Sequence, residues 1–273
     1  MAATKALPTT ALEVVAIPLE LAWQDPRTNL EAMRTALARL SSPKGPRLVI
    51  FPELTLTGFT TVNPIEAALD PSDKILAEVR SLALEFKCAL VFGYPERTND
   101  GRVKNALSYI STQGQELGRY YKLHLFTQGT HPETATYVAG DQPVYVNDGE
   151  WRIGLAICFD LRFPELFRSY AQAGCDLMIL AACWVGGPTK HDQFMALASG
   201  QSVISQSFMV ALNRTGSDPF CQFEGEAAVF GPRAERLAYQ ESAPAIAVLD
   251  PTLLKTARGL SVLPSLRPAY SWF

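Results

Sequence analysis

The sequence predicts a single α/β domain, built as two packed mixed sheets with helices on their outer faces. Three observations carry this prediction. Apolar strand-like runs alternate with amphipathic helical stretches from end to end of the 273 residues. No linker, repeat or low-complexity segment divides them, so residues 1–273 read as one domain with a core at about 12–270. Two neighbouring strand runs around Gln113-Gly114 have the pattern of a hairpin, which a purely parallel sheet lacks.

The elements follow in order. Leu12 to Pro18 reads as a strand. Leu30, Met33, Leu37 and Leu40 then recur at helical spacing. Arg47 to Phe51 is the next strand and runs into Pro52-Glu53. A second helix starts near Ser72, read as its N-cap, with Ile75, Val79, Leu82 and Phe86 on one face. Cys88 to Tyr94 is a strand, and Asn105 to Ser111 pairs with Glu116 to Tyr121. Trp151 to Ile157 and Asp176 to Ala182 are strands on either side of a helix from Arg162 to Gly174. Phe208 to Asn213 and Ala243 to Leu249 close the pattern. Long loops lie at Gly58 to Asp70 and Thr127 to Gln142, and loops of that length in a compact domain are often functional.

Composition excludes several classes. With 48% hydrophobic and 19% charged residues, the chain can bury a sizeable core. The net charge of −3 is spread without a basic stripe, which argues against nucleic-acid partners. No apolar run is long enough to span a bilayer. The first eight residues lack an extended apolar core and read as a short frayed leader rather than a signal peptide. Cys88, Cys158, Cys175, Cys183 and Cys221 are odd in number and have no metal-like spacing. They fit free thiols in a reducing compartment, hence a cytoplasmic protein. The three histidines form no His-Glu-x-x-His, and there is no Cys-x-x-Cys, so a zinc site is not expected.

Three positions suggest chemistry. Cys158 directly follows the apolar run Trp151 to Ile157, at a strand-to-helix corner where a substrate can reach it. The positive end of the following helix is expected to stabilise its thiolate. Glu53 follows a buried strand in Phe51-Pro52-Glu53-Leu54-Thr55-Leu56-Thr57-Gly58-Phe59, placing a carboxylate at the sheet edge. Lys122 sits in Tyr120-Tyr121-Lys122-Leu123-His124-Leu125-Phe126, inside an apolar and aromatic stretch. Each alone has a structural reading as well: a satisfied loop acid, a lysine that snorkels to solvent, a small core cysteine.

Together, and in this order, the three segments resemble the carbon–nitrogen hydrolase family, the nitrilase superfamily. Gly93-Tyr94-Pro95-Glu96-Arg97 and Asn105-Ala106 look like its intermediate motifs. Asn213-Arg214-Thr215-Gly216 and Leu266-Arg267-Pro268-Ala269-Tyr270 look like its late ones. The run Cys158-Phe159-Asp160-Leu161-Arg162-Phe163-Pro164-Glu165-Leu166 is similar to the branch that holds ω-amidases and deaminated-glutathione amidases. It is less like true nitrilases or carbamoyl-amine hydrolases. One departure lies at Ala198-Ser199-Gly200-Gln201, where relatives often carry an Arg-Ala pair.

The resemblance implies an α-β-β-α sandwich that pairs across its helices, as a homodimer or higher homo-oligomer, with the apolar tail from Ala269 to Phe273 against a neighbour. It implies a catalytic set of Glu53 as general base, Lys122 as oxyanion partner and Cys158 as nucleophile. The segment from Glu133 to Asp141 resembles the one that supplies a second glutamate, here Glu133. The substrate it implies is a small amide, hydrolysed through a thioester with no metal or organic cofactor. Nitrile hydrolysis and a non-catalytic binding role are the alternatives.

Around this set, the backbone N–H of Phe159 is a second oxyanion donor. Arg162 is a candidate grip for a substrate carboxylate, or else an ion-pair partner of Glu165. Cys183 and Trp184 follow the next strand, near the same sheet edge, as pocket lining or core. Phe59 and Tyr121 are candidate pocket walls. Asp160 is read as the cap of the helix after Cys158, His124 as structural, and Cys88 and Cys175 as buried core.

Overall fold

The computed structural model describes residues 5–128 and 132–259. The first part of the chain forms β1 (Leu12–Ala16), α1 (Pro26–Ala38), β2 (Arg47–Ile50), α2 (Pro64–Ala67), α3 (Lys74–Phe86), β3 (Ala89–Arg97), β4 (Val103–Ile110) and β5 (Glu116–Tyr121). After a 3-10 turn at Glu133–Ala135 come β6 (Tyr145–Asp148), β7 (Trp151–Ile157), a second 3-10 turn at Cys158–Arg162, α4 (Pro164–Gln172), β8 (Leu177–Ala182), α5 (Lys190–Ser205) and β9 (Phe208–Asn213). The chain continues through β10 (Thr215–Ser217), β11 (Gln222–Glu224), β12 (Glu226–Phe230), β13 (Arg236–Glu241), β14 (Ala245–Leu249) and α6 (Pro251–Gly259).

One six-stranded sheet has the order β14-β1-β2-β3-β4-β5, and the other has β13-β12-β9-β8-β7-β6. In each, three central strands run parallel and the flanking strands are antiparallel. Both sheets are therefore mixed, as the hairpin pattern predicts.

Side-chain alternation explains the layering. Val14, Ala16, Leu48, Ile50, Ala89 and Val91 face the second sheet and join Ile153, Leu155 and Ile157 in one core. Their neighbours Val15, Ile17, Val49, Phe51, Leu90 and Phe92 face the other way, onto Leu30, Met33 and Leu37 of α1 and Val79 and Leu82 of α3. Strands apolar on both faces read as continuous hydrophobic runs because neither face meets water. Leu166, Phe167 and Tyr170 of α4 and Phe194 and Ala198 of α5 cover the second sheet. Each such aliphatic or aromatic side chain contributes about 1.5–3 kcal/mol when fully buried.

Several boundaries differ from the sequence reading. Asp73, not Ser72, caps α3, its carboxylate accepting from the N–H of Ile75. The helix expected from Arg162 begins at Pro164 instead. A residue before proline disfavours the helical region, and Phe163 is extended at φ −115° and ψ 92°. The turn at Cys158–Arg162 is thus a separate 3-10 segment. From Lys5 onward the supposed frayed leader is tied down. Lys5 pairs with Asp176, Thr9 and Thr10 hydrogen-bond Glu150, and Leu7 packs on the core. The late motif at Leu266 to Tyr270 and the apolar tail lie outside the described residues. Among the described residues, no helix is long and apolar enough to cross a membrane.

One close approach positions the segment after β2. A Cβ on Gly93 would lie 2.4 Å from the backbone N of Leu54 and 3.0 Å from the carbonyl carbon of Glu53. Only glycine lets β3 pass beneath that corner, where Leu54 itself takes a left-handed φ of 48°. Backbone cannot yield as a flexible side chain would. Gly93→Ala is therefore expected to cost about 2 kcal/mol of stability, in the range of overpacked cores. Denaturant melts check it, and an unchanged midpoint would show that the corner moves freely.

Candidate active site

Three of the site's residues follow parallel strands: Glu53 soon after β2, Cys158 directly after β7 and Cys183 directly after β8. β7 ends at Ile157, and the next residue, Cys158, is held at φ 44°. A left-handed backbone at a non-glycine residue costs roughly 1–2 kcal/mol, so the surroundings must enforce it. Asp160 does much of this. Its carboxylate accepts from the N–H of Ile157 at 2.9 Å, the N–H of His124 at 3.0 Å and the hydroxyl of Tyr120 at 2.7 Å. Asp160 therefore does not cap α4, as the sequence reading has it. It clamps the end of β7 to the segment after β5. His124 completes the clamp, its Nδ1 2.8 Å from Asp160 and its ring stacked on Phe163 at 3.8 Å.

The segment after β5 carries Lys122. Its Nζ lies 2.8 Å from Oε1 of Glu53 and 2.7 Å from Oε2 of Glu133, and all three side chains are fully buried. Asn105 on β4 spans the two acids, its Nδ2 donating to Glu53 Oε1 at 2.7 Å and to Glu133 Oε1 at 3.0 Å. The N–H of Phe126 donates to Glu133 at 2.7 Å. The N–H of Cys183, at the end of β8, donates to Glu53 Oε2 at 2.6 Å. The structure thus brings Glu53, Lys122, Glu133 and Cys158 together. Asn105 is a bridging residue that sequence reasoning missed, although Asn105-Ala106 stands among the motifs.

Electrostatics set the resting state. Burial opposes the charge on Lys122, yet the carboxylates of Glu133 and Glu53 together outweigh it and hold its pKa well above the lysine norm. Burial raises the pKa of Glu133, with Lys122 acting against the rise. Burial and then the charge of the Glu53 carboxylate push Cys158 well above the usual cysteine value. This corrects the expectation of a thiolate stabilised by a helix end: the resting nucleophile is a thiol.

Cys158 opens onto a small cleft whose walls include Phe59, Phe126, Phe159, Arg162 and Trp184. Trp184 is fixed at both backbone groups by Asn213, at 2.7 and 2.9 Å. Arg162 lies over its indole at 4.6 Å and donates to Gln193, not to Glu165. Cys183 lines the cleft and also holds Glu53, its thiol 3.3 Å from the Glu53 carbonyl. Tyr121 is not a pocket wall. Its hydroxyl donates to Glu96 at 2.6 Å on the outer side of the sheet, because successive strand residues face opposite ways. Cys88 and Cys175 are buried core, away from the cleft. Phe126, Gln128, Val185 and Lys190 line the cleft but were not singled out from the sequence.

The chain has relatives among known proteins. The pattern of the carbon-nitrogen hydrolase family matches residues 14–255. A hydrolase of Mycobacterium tuberculosis is 33% identical over 198 residues, covering 71% of this chain and 69% of that protein. The deaminated glutathione amidase of Synechocystis is 32% identical over 206 residues, covering 69% of this chain and 73% of that protein. Among solved structures, a Xanthomonas campestris protein with an arsenic adduct in its active site superposes with a TM-score of 0.87. It is 23% identical, with 96% of this chain and 99% of that one covered.

The protonated resting thiol generates a prediction. Because its folded pKa lies above the ordinary value of 9.0, the thiolate fraction at neutral pH falls below that of a free thiol and grows only at alkaline pH. Alkylation of Cys158 at neutral pH then depends on Glu53 taking the proton. Glu53→Gln is expected to slow iodoacetamide labelling of Cys158 at pH 7 by about tenfold or more, within the reach of general-base effects. Raising the pH should restore part of the rate. Peptide mass spectrometry reads this out, and equal labelling of both proteins would remove the base role.

Proposed function

The chain belongs to the carbon–nitrogen hydrolase family and is a hydrolase of carbon–nitrogen bonds, and we propose that it is an amidase for small carboxylate-bearing amides. The observation that carries this reading is the buried contact of Glu53, Lys122 and Glu133 beside the Cys158 thiol at the foot of the cleft.

Cys158 Sγ attacks the amide carbon while its proton passes to Glu53. The oxyanion is met by Lys122 Nζ and the backbone N–H of Phe159. One such contact is worth on the order of 3 kcal/mol in the transition state. Collapse of the tetrahedral intermediate breaks the carbon–nitrogen bond, and ammonia leaves with the proton held by Glu53. A thioester stays on Cys158. Glu53 then deprotonates a water, which attacks the thioester; the carbon–sulfur bond breaks, the acid leaves, and Glu53 returns the proton to the Cys158 sulfur. Glu133 keeps Lys122 charged and aimed throughout, since an ammonium between two carboxylates does not lose its proton. The 32% identical deaminated glutathione amidase supports the amide over the nitrile. Arg162, held on the Trp184 face in the same cleft, supports a substrate carboxylate. Pairing of two copies across the outer helices would cover Val203 and Ile204, which are exposed on α5.

Ammonia release should be detectable from succinamate or α-ketoglutaramate and absent for Cys158→Ala, which is expected to stay folded. Arg162→Met should lose more activity on these than on neutral aliphatic amides. A folded Cys158→Ala protein with normal turnover would end the amidase reading, and equal losses for Arg162→Met would end the carboxylate role. Rapid quenching followed by intact mass measurement should show an acyl adduct on Cys158. Its absence under steady turnover would argue against the thioester.

A further inference from the structure

We propose that Lys190 is a specificity-determining residue, the second half of a cationic clamp that with Arg162 holds the anionic end of the substrate. This rests on the amidase reading of the same cleft. Lys190 opens α5 and lines the cleft together with Arg162 and Cys158. It is held in place through its backbone, whose carbonyl accepts from Trp184 Nε1 at 3.0 Å. The preceding residue, Thr189, turns into the helix with a left-handed φ of 61°. The same indole thus carries the Arg162 guanidinium on its face and the Lys190 backbone on its edge.

Among the described residues, neither Arg162 nor Lys190 forms an ion pair with a carboxylate, a condition they share with Arg39, Arg152, Arg168 and several lysines; what distinguishes these two is their place in the wall of the cleft. Arg162 spends one donor on the neutral amide of Gln193 at 2.8 Å. Lys122, the other cation of the cleft, spends two of its three N–H donors on Glu53 and Glu133 and keeps the third for the oxyanion, so the far end of the substrate needs other partners.

The cleft is therefore polarised. Its foot sets two acids, Glu53 and Glu133, against the single Lys122, whereas Arg162 and Lys190 stand in its walls. A carboxylate is repelled from the foot and drawn to those two residues, so a substrate with an amide at one end and a carboxylate at the other enters amide first. The class of ligand that fits is a monoamide of a short dicarboxylic acid, and the dicarboxylate is the product.

Succinate serves as the probe, titrated calorimetrically into the wild-type protein, Lys190→Met and Lys190→Arg. The affinity for succinate should fall about tenfold in Lys190→Met, the size expected for one charge-assisted contact. Lys190→Arg should recover most of it, and added salt should weaken wild-type binding more steeply than binding to Lys190→Met. The same succinate affinity in Lys190→Met, or no saturable binding to the wild type, would overturn the clamp. Ammonia assays on the same samples keep the two readings apart. Lys190-dependent succinate binding without turnover of any amide would leave the clamp and remove the amidase. Turnover with Lys190-independent binding would do the reverse.

Discussion

The contact of Lys122 with Glu53 and Glu133 is the interaction on which the rest of the site depends. Three ionisable groups with no solvent exposure would be costly if any one were left alone, because an unpaired buried charge is penalised by several kcal/mol. The fold meets that demand with donors from several segments: Asn105 on β4, the N–H of Cys183 after β8 and the N–H of Phe126. These donors do not merely neutralise the acids. They leave each carboxylate in one orientation and hold the ammonium between the two.

The nucleophile is constrained by a different device. A left-handed Cys158 is strained, and Asp160 keeps it so by taking donors from both sides of the corner. Because Tyr120 and His124 belong to the lysine's segment, the same carboxylate sets the spacing between Lys122 and Cys158. Packing between the sheets, through Val14, Ile50, Leu155 and their neighbours, then prevents the two halves of the site from sliding.

Much of this was legible in the sequence, for identifiable reasons. Glu53 and Cys158 each follow an apolar run that ends abruptly, and a strand that ends at a polar residue places that residue at the sheet edge. Glu133 carries no local signal of its own; only the resemblance singles it out. The bridging by Asn105 was not legible. It links acids 52 and 28 residues away, which become neighbours only when β4 lies beside β5. Tyr121 was misplaced because its neighbour Tyr120 takes the inward position, and the aromatic pair does not show which way each points. The helix boundary was readable in principle from Pro164. The short strands β10 to β13 carry too few residues for their periodicity to stand out.

Glu53 and Lys122 come from one sheet, and Cys158 and Cys183 from the other. The seam between the sheets is thus also the seam of the chemistry. A chain that has formed only its first sheet owns a base and a lysine with nothing to activate. A chain that has formed only its second owns an inert thiol. Competence arrives with docking of the two layers, so turnover counts fully assembled molecules, and a partly folded one is silent rather than indiscriminately reactive.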